Sequence, residues 1–297
     1  MIRIATRNSQ LALWQAEYIR RLLLSAHSDL QETDIVLVPL ASEGDIRTEE
    51  GFERFGYKGI FTKRIEQALL NNDADIAVHS MKDVASVIPD ALTLAAMPER
   101  EDVRDAWISP RDIEFENLAH NALVGTASIR RTALLRHHFP QLRIEPLRGN
   151  VPTRLEKAAQ FDGIILAAAG LKRLKLEEHI TNYLPVEQFL PAAGQGAVGV
   201  QCRSDDMAMI ERLHKINHPL TFQAVTAERA ALAVIDGDCT TPVGGYAQYQ
   251  QDKLHLTLRY LMPEGGQVIE VSESGTDPLI LGSSVGAQVK DMLACCS

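Results

Sequence analysis

Five arginines stand where predicted strands give way to loops or helices. They are Arg7, Arg130, Arg131, Arg148 and Arg154. In open α/β sheets, ligands bind beyond the carboxyl ends of the strands. A guanidinium group binds carboxylate or phosphate through two parallel hydrogen bonds. The alternative is a set of ordinary surface arginines in ion pairs, which are common and weak. Five arginines at strand ends favour a multiply anionic ligand held in a cleft.

Two further side chains are candidates for chemistry. Cys239 lies in a loop between Gly237 and Pro242, where a thiol is presented rather than packed. An exposed thiolate is a nucleophile, and the alternative is a half-buried structural cysteine. Asp83 follows a predicted strand at 74–79. Its carboxylate could stabilise developing positive charge or transfer a proton, or it could merely cap a helix.

The composition limits the class of protein. The chain has 297 residues, with 30 Lys and Arg against 39 Asp and Glu, and a net charge of −9. This charge opposes nucleic-acid binding, and no apolar run approaches the roughly 18 residues of a membrane helix. Residues 1–6 enter a strand pattern without a signal-peptide core. We therefore expect a cytoplasmic protein with reduced cysteines. Without a CxxC pair we expect no metal site.

Apolar runs alternate with amphipathic helices through the first two hundred residues, as in α/β folds. Ser9 is predicted to cap a helix that ends near His27. Its buried stripe is assigned to Leu11, Leu13, Trp14, Ile19, Leu22 and Leu23. After residue 221 an alanine-rich helix is followed by strands with period-two alternation and a last helix. In the strand at 253–261, Leu254, Leu256 and Leu258 share one face.

Two segments are predicted crossings between lobes. Segment 98–104 is polar, and segment 190–196 is rich in Pro and Gly. The predicted domains are 1–98 with 197–215, 104–191, and 219–297. Two α/β lobes joined by two crossings resemble type II periplasmic binding proteins, whose ligands bind in a cleft between the lobes. The predicted fold class is therefore α/β, with two such lobes, a cleft between them and a small α+β C-terminal domain. Fold alone does not imply function.

The segment 237–244 resembles the signature of the porphobilinogen deaminases, also called hydroxymethylbilane synthases. It reads Gly-Asp-Cys-Thr-Thr-Pro-Val-Gly. Further segments similar to this family are spread over all three predicted domains. They are 4–9, 11–15, 58–63, 79–84, 125–131, 147–150, 153–154 and 190–197. The motifs are long and ordered, so the chain is identified by resemblance as a member.

The resemblance implies a transferase of tetrapyrrole and haem biosynthesis. It condenses four porphobilinogen molecules head to tail with loss of ammonia, onto a dipyrromethane bound as a thioether to Cys239. Hydrolysis then releases hydroxymethylbilane. Every pyrrole carries an acetate and a propionate, which agrees with the arginine pattern.

The family also assigns roles to individual positions, and Asp83 is the catalytic one. The positions implied to hold the cofactor are Cys239, Lys82, Asp83, Thr126, Ser128, Arg130, Arg131, Arg148 and Gly149. Those implied to bind substrate are Arg7, Ser9, Lys58, Arg148, Arg154 and Arg173. For Arg173 a plain solvated helix end stays open as an alternative, and Lys58 is interpreted as part of a lid.

The chain departs from the family pattern at several positions, which are Glu43, Tyr57, Ala85, Ala127 and Asp238. A carboxylate beside Cys239 is expected to raise the pKa of the thiol and slow cofactor loading. Two other functions compete with the enzyme, a solute-binding protein and a catalytically inactive scaffold. The first does not explain Cys239 or Asp83, and no missing residue favours the second. We expect a monomer that binds porphobilinogen, with no nucleic-acid or membrane partner.

Overall fold

The computed structural model describes residues 1–40, 63–237, 241–262 and 266–295. The chain divides into two compact units. The first contains residues 1–100 and 197–223, and the second contains residues 101–196 and 224–297.

The strands are β1 (Ile2–Arg7), β2 (Ile35–Leu40), β3 (Ile76–Ser80), β4 (Leu92–Ala96), β5 (Asp105–Ile108), β6 (Leu123–Gly125), β7 (Arg143–Glu145), β8 (Gly163–Ala167), β9 (Asn182–Tyr183), β10 (Val198–Arg203), β11 (Val243–Gln250), β12 (Lys253–Leu261) and β13 (Val268–Gly275). The α-helices are α1 (Gln10–Ala26), α2 (Lys63–Leu70), α3 (Ile129–His138), α4 (Val151–Lys157), α5 (Ala168–Arg173), α6 (Met207–His214), α7 (Pro219–Val234) and α8 (Pro278–Cys295).

The first unit is built on a five-stranded sheet in the order β2-β1-β3-β10-β4. β1 runs parallel to β2 and β3, whereas β10 is antiparallel to β3 and β4. β1, which lies between β2 and β3, is buried on both faces, as strands of parallel sheets usually are, and its Ile4, Ala5 and Thr6 are fully buried. Parallel neighbours bring the carboxyl ends of β1 and β3 to one edge of the sheet.

Helix α1 begins after Ser9, whose side chain accepts a hydrogen bond from Ala12 N, as predicted. The predicted buried stripe is partly wrong. The helix buries Ala12, Gln15, Ala16, Ile19 and Leu23, while Leu11, Leu13, Trp14 and Leu22 are half-buried. Small alanines on the inner face let a helix approach the sheet closely, so the larger leucines pack at the sides.

The second unit contains a sheet in the order β7-β6-β8-β5-β9. β6 is parallel to β7 and β8, and β5 is antiparallel to β8. The first sheet has the same plan. In each sheet three strands run parallel, and the strand that follows a predicted crossing lies antiparallel beside one of them. This strand is β10 beside β3 in the first sheet and β5 beside β8 in the second. Sequence analysis missed β5, whose four residues are all buried, because so short an apolar run shows no periodicity.

The C-terminal part of the second unit is an antiparallel sheet, β11-β12-β13, covered on one face by α7 and α8. Leu254, Leu256 and Leu258 are fully buried in this core, which confirms the predicted face. The two helices approach closely at Gly282, where an added Cβ would lie 2.6 Å from the Ala230 Cβ. Two α/β sheets and a small α+β part confirm the predicted fold class.

Candidate functional site

The carboxyl edge of the first sheet carries a pocket of about 70 Å³. β1 ends at Arg7, and Ser9 begins α1 directly after it. β3 ends at Ser80 and continues into a short 3-10 turn, Met81–Asp83. Arg7, Ser9, Ser80 and Asp83 all line the pocket. The structure thus brings together three of the predicted site residues of this unit, Arg7, Ser9 and Asp83. Lys82 lies half-buried in the same turn.

The Asp83 carboxylate is exposed and makes no hydrogen bond or ion pair with another residue in the described ranges. The backbone beneath it is fixed, since Val84 N donates to the Met81 carbonyl at 3.2 Å. The pocket wall is fixed too, because Gln15 Nε2 lies 2.8 Å from Ser80 Oγ. Asp83 therefore presents an uncommitted negative charge from a rigid turn at the rim of a pocket.

In the second unit, two hydroxyls shape the start of α3. Thr126 follows β6, and its Oγ1 accepts a hydrogen bond from Ser128 N at 3.2 Å. Ser128 is the N-cap, and its Oγ accepts from Arg131 N at 3.4 Å. These bonds place Arg130 and Arg131 in the first turn of the helix, next to the carboxyl edge of the sheet.

Both arginines are buried, each about 4% exposed, around the fully buried carboxylate of Asp105. Arg130 Nη2 lies 2.9 Å from Asp105 Oδ2, and Arg131 Nη2 lies 2.7 Å from Oδ1. Gln195 Nε2 donates to Oδ1 at 2.8 Å. Burial alone would raise the pKa of Asp105. The charges of both arginines and the hydrogen bonds from Arg131 and Gln195 instead hold that pKa well below its usual range.

Counted over the part of the chain that the structure describes, this cluster is one negative charge short. Two guanidinium cations surround one carboxylate, and charge burial is costly without compensation. Among the described residues, the buried Nε atoms of Arg130 and Arg131 have no hydrogen-bond partner. Buried donors normally have acceptors, so the charge and the donors of this cluster suit one further anion.

A turn after β7 holds three more predicted site residues. Gly149 has φ of +127°, and an added Cβ would lie 2.9 Å from Thr153 Cγ2, so glycine is required there. Arg154 Nε donates to the Gly149 carbonyl oxygen at 2.7 Å. Arg148 is exposed. Thus Arg148 is presented to solvent, while the Arg154 guanidinium stabilises the turn.

Arg173 is not a solvated helix end. Its side chain is buried, with the residue 7% exposed, and its Nη2 donates to the Gly196 carbonyl oxygen at 2.7 Å. The alternative considered from the sequence is therefore wrong, because the helix end packs against the turn at 190–196.

Cys239 and Lys58 lie outside the described residues, as do Glu43, Tyr57 and Asp238. β11, the strand that follows Cys239 in the sequence, is bound to the turn at 190–196, because Gly245 N donates to the Pro191 carbonyl oxygen at 2.9 Å. The neighbouring Leu190 carbonyl oxygen accepts from Arg130 Nη1 at 2.8 Å. β11 therefore docks on the same turn that anchors one of the buried arginines.

Asp105 and Gln195 were missed as site residues from the sequence. Their partners lie between 25 and 92 positions away, and no local spacing signals such contacts. Asp105 directly follows the polar crossing predicted at 98–104, which was a usable signal.

In the described ranges, no group of three or more His, Cys, Asp or Glu side chains is arranged to hold a metal ion. A separate search of the same residues finds no helix with the length and apolarity needed to span a bilayer.

These features define an α/β protein whose two units each carry arginines beside the carboxyl edge of a sheet. The family model "porphobilinogen deaminase, dipyromethane cofactor binding domain" matches residues 2–211. The model "porphobilinogen deaminase, C-terminal domain" matches residues 222–291. A porphobilinogen deaminase of Nitrosomonas europaea is 44% identical over 293 residues, covering 98% of this chain and 92% of that protein. The chain belongs to the porphobilinogen deaminase family. The predicted activity, a transferase of porphyrin biosynthesis with a dipyrromethane cofactor, is thereby confirmed.

Solved structures with lower similarity include two periplasmic proteins. The periplasmic VFT2 domain of Bordetella pertussis BvgS is 13% identical, with a TM-score of 0.43, covering 72% of this chain and 86% of that chain. An arginine-specific periplasmic binding protein of Salmonella typhimurium is 10% identical, with a TM-score of 0.40, covering 74% and 93%.

Proposed function

We propose that the residues described above carry out the condensation of four porphobilinogen molecules, with loss of ammonia, and the hydrolytic release of hydroxymethylbilane. One observation carries this proposal. Asp83 offers an uncommitted carboxylate at the rim of a pocket that also contains Arg7 and Ser9. This is what a substrate with two carboxylates and a cationic transition state requires.

The cofactor is proposed to be held through a thioether to Cys239. When bound, the dipyrromethane supplies the pyrrole α-carbon that acts as nucleophile in the first condensation. Arg130 and Arg131 fit one of its carboxylates, because the cluster around Asp105 is one negative charge short and has two buried donors without acceptors among the described residues. Lys82, Asp83, Thr126, Ser128, Arg148 and Gly149 are proposed to complete the cofactor site.

Asp83 is proposed to act on the reacting ring of porphobilinogen. Its carboxylate accepts the pyrrole N–H and stabilises the positive charge that develops as ammonia leaves. A fixed charge aimed at a developing charge typically contributes a factor of about 10² to 10³ to the rate. A proton on the same side chain could pass to the departing amine, and the carboxylate formed by that transfer could later accept the α-hydrogen of the attacking ring.

The acetate and propionate of each incoming porphobilinogen are proposed to bind basic and hydroxyl side chains. Those assigned to substrate are Arg7, Ser9, Lys58, Arg148, Arg154 and Arg173. Arg7 and Ser9 are supported by their place beside Asp83. Arg148 is supported by its exposure after β7. Arg154 and Arg173 each donate to a backbone carbonyl oxygen, and their assignment to substrate rests on the family pattern.

The chain is further proposed to act as a cytoplasmic monomer that binds neither nucleic acid nor membrane. Its net charge of −9 supports the proposal that it does not bind nucleic acid. Light scattering of the purified protein should give the chain mass of 32.8 kDa. A dimer mass at micromolar concentration would contradict the monomer.

The decisive experiment combines intact mass with ammonia release. The wild-type chain should carry the added mass of one dipyrromethane and should release ammonia from porphobilinogen. The Cys239→Ser variant should show the unmodified mass and no release. Cys295→Ser is the matched control, because that cysteine is exposed at the end of α8 and should not affect either result. An unmodified wild-type chain that releases no ammonia would overturn the proposal.

A further inference from the structure

Asp105 is a common acceptor for three side chains from two separate segments. It opens β5 and is fully buried. It accepts hydrogen bonds from Arg130 and Arg131 in α3 and from Gln195 in the turn at 190–196. Gln195 is held in turn, because its Nε2 also donates to the Val103 carbonyl oxygen at 2.7 Å. A single carboxylate therefore joins the segment before β5, the start of α3 and the turn on which β11 docks.

Each arginine has a second fixed point. Arg130 Nη1 donates to the Leu190 carbonyl oxygen at 2.8 Å, and Arg131 Nη1 donates to the Ile165 carbonyl oxygen at 2.9 Å. A planar guanidinium held at both terminal nitrogens cannot rotate freely. The Nε–H groups, which have no acceptor among the described residues, are therefore fixed in direction.

The charges set what the cluster can accept. Arg130 and Arg131 contribute two positive charges and Asp105 one negative charge, all in positions at most 4% exposed. A buried ionic cluster is stabilised when the charges balance and the donors are satisfied. One more carboxylate would balance this cluster, and a second would again leave it unbalanced.

We propose that Asp105 is the positioning residue of cofactor loading: it fixes both guanidinium groups and leaves one positive charge, so that the cluster takes up one carboxylate of the dipyrromethane. Gln195 supports Asp105 in this role. The inference rests on the proposed function, since it assumes that Arg130 and Arg131 bind the cofactor. Asp105 does not itself touch the cofactor.

The test measures loading separately from folding. Apoprotein is produced in a host that cannot make porphobilinogen and is then incubated with porphobilinogen well below its unfolding temperature. The rate at which the dipyrromethane mass appears on the chain is followed by intact mass spectrometry. Asp105→Asn keeps the side-chain shape but removes the charge. We expect loading of Asp105→Asn to be at least tenfold slower than loading of the wild type. A tenfold change in rate corresponds to about 1.4 kcal/mol in the activation free energy of loading.

Asp162→Asn is the matched control. Asp162 lies in the same unit, directly before the first residue of β8. Asp105 pairs with Ala167, the last residue of that strand, so the two aspartates lie at opposite ends of β8. Its carboxylate accepts from Leu123 N at 2.6 Å and pairs with Arg111. Its loss should lower the unfolding temperature but leave loading close to the wild-type rate. Loading that falls in Asp162→Asn as much as in Asp105→Asn would overturn the proposal.

A second variant covers the case that Asp105→Asn does not fold. Gln195→Met removes one donor to Asp105 and keeps all three charges, and we expect loading slower than in Asp162→Asn. Wild-type loading rates in both Asp105→Asn and Gln195→Met would overturn this inference alone. A wild-type apoprotein that never acquires the added mass would instead overturn the proposed function.

Discussion

Arg173 and Gly196 are joined by a hydrogen bond of 2.7 Å, from the guanidinium Nη2 to the backbone carbonyl oxygen. The same oxygen accepts from Glu101 N at 3.1 Å. Residues 101 and 196 are the two ends of the first stretch of the second unit. The guanidinium thus stabilises the place where the outgoing and returning segments meet within that unit.

Replacement of Gly196 by alanine should destabilise the protein strongly. Gly196 has φ of +84°, and an added Cβ would clash with the Glu101 carbonyl oxygen. Strain and backbone displacement together should lower the free energy of unfolding by about 2 to 4 kcal/mol. Denaturant unfolding measures this. Gly266→Ala is the control, because φ there is +111° with no atom of the described residues within 4 Å, so it reports backbone conformation. Equal losses in both variants would contradict the steric argument.

Asp83→Asn should lose turnover while keeping the fold. The carboxylate is exposed and has no partner among the described residues, so the free energy of unfolding should change by less than about 0.5 kcal/mol. Without its charge, the steady-state rate of ammonia release should fall by a factor of about 10² or more. Asp90→Asn, an exposed aspartate of the same unit, should retain wild-type turnover. Wild-type turnover in Asp83→Asn would exclude the assigned role.

Asp102 should make stability depend on pH in the acid range. Burial raises its pKa, but hydrogen bonds from Arg104 and Lys172 outweigh burial and lower the pKa from 3.8 to about 2. When a carboxyl group has a lower pKa in the folded protein than in the unfolded chain, its ionised form stabilises the fold at pH values above the unfolded-state pKa. After discounting for solvent screening this contribution is about 1 kcal/mol. It is present at neutral pH and is lost as the pH falls from about 4 through 2.

Urea unfolding of the wild type and of Asp102→Asn at pH 7, 4 and 3 measures this contribution. The difference between the two proteins should be largest at pH 7 and should shrink towards pH 3. A difference that stays constant over this range would show that the carboxylate contributes through packing instead.

Cys202 should be unreactive in the folded protein. It is fully buried in the core of the first unit, and burial raises the pKa of its thiol to about 11. The thiol is therefore protonated at pH 7.5, and alkylating reagents react with the thiolate. Peptide mapping after treatment with iodoacetamide should show Cys295 modified and Cys202 unmodified, with both modified in urea. Native labelling of Cys202 at the rate of Cys295 would contradict its burial.

Local patterns predicted much of this protein from the sequence. The Ser9 cap, the alternating leucines of β12 and the order of strands and helices follow from interactions within a few residues, which spacing records. Ordered motifs along the chain were sufficient to identify the family. The Asp83 and Cys239 assignments also came from those motifs.

Long-range packing decided the rest. The inner face of α1 depends on how closely the helix approaches its sheet, which favoured Ala12 and Ala16 over the flanking leucines. The sequence indicated that Arg130 and Arg131 bind anions. Only the fold placed Asp105, 25 and 26 positions earlier, between them. Burial excludes water, so partners must come from whichever segments the topology brings together. That pairing is not encoded in the spacing of neighbouring residues.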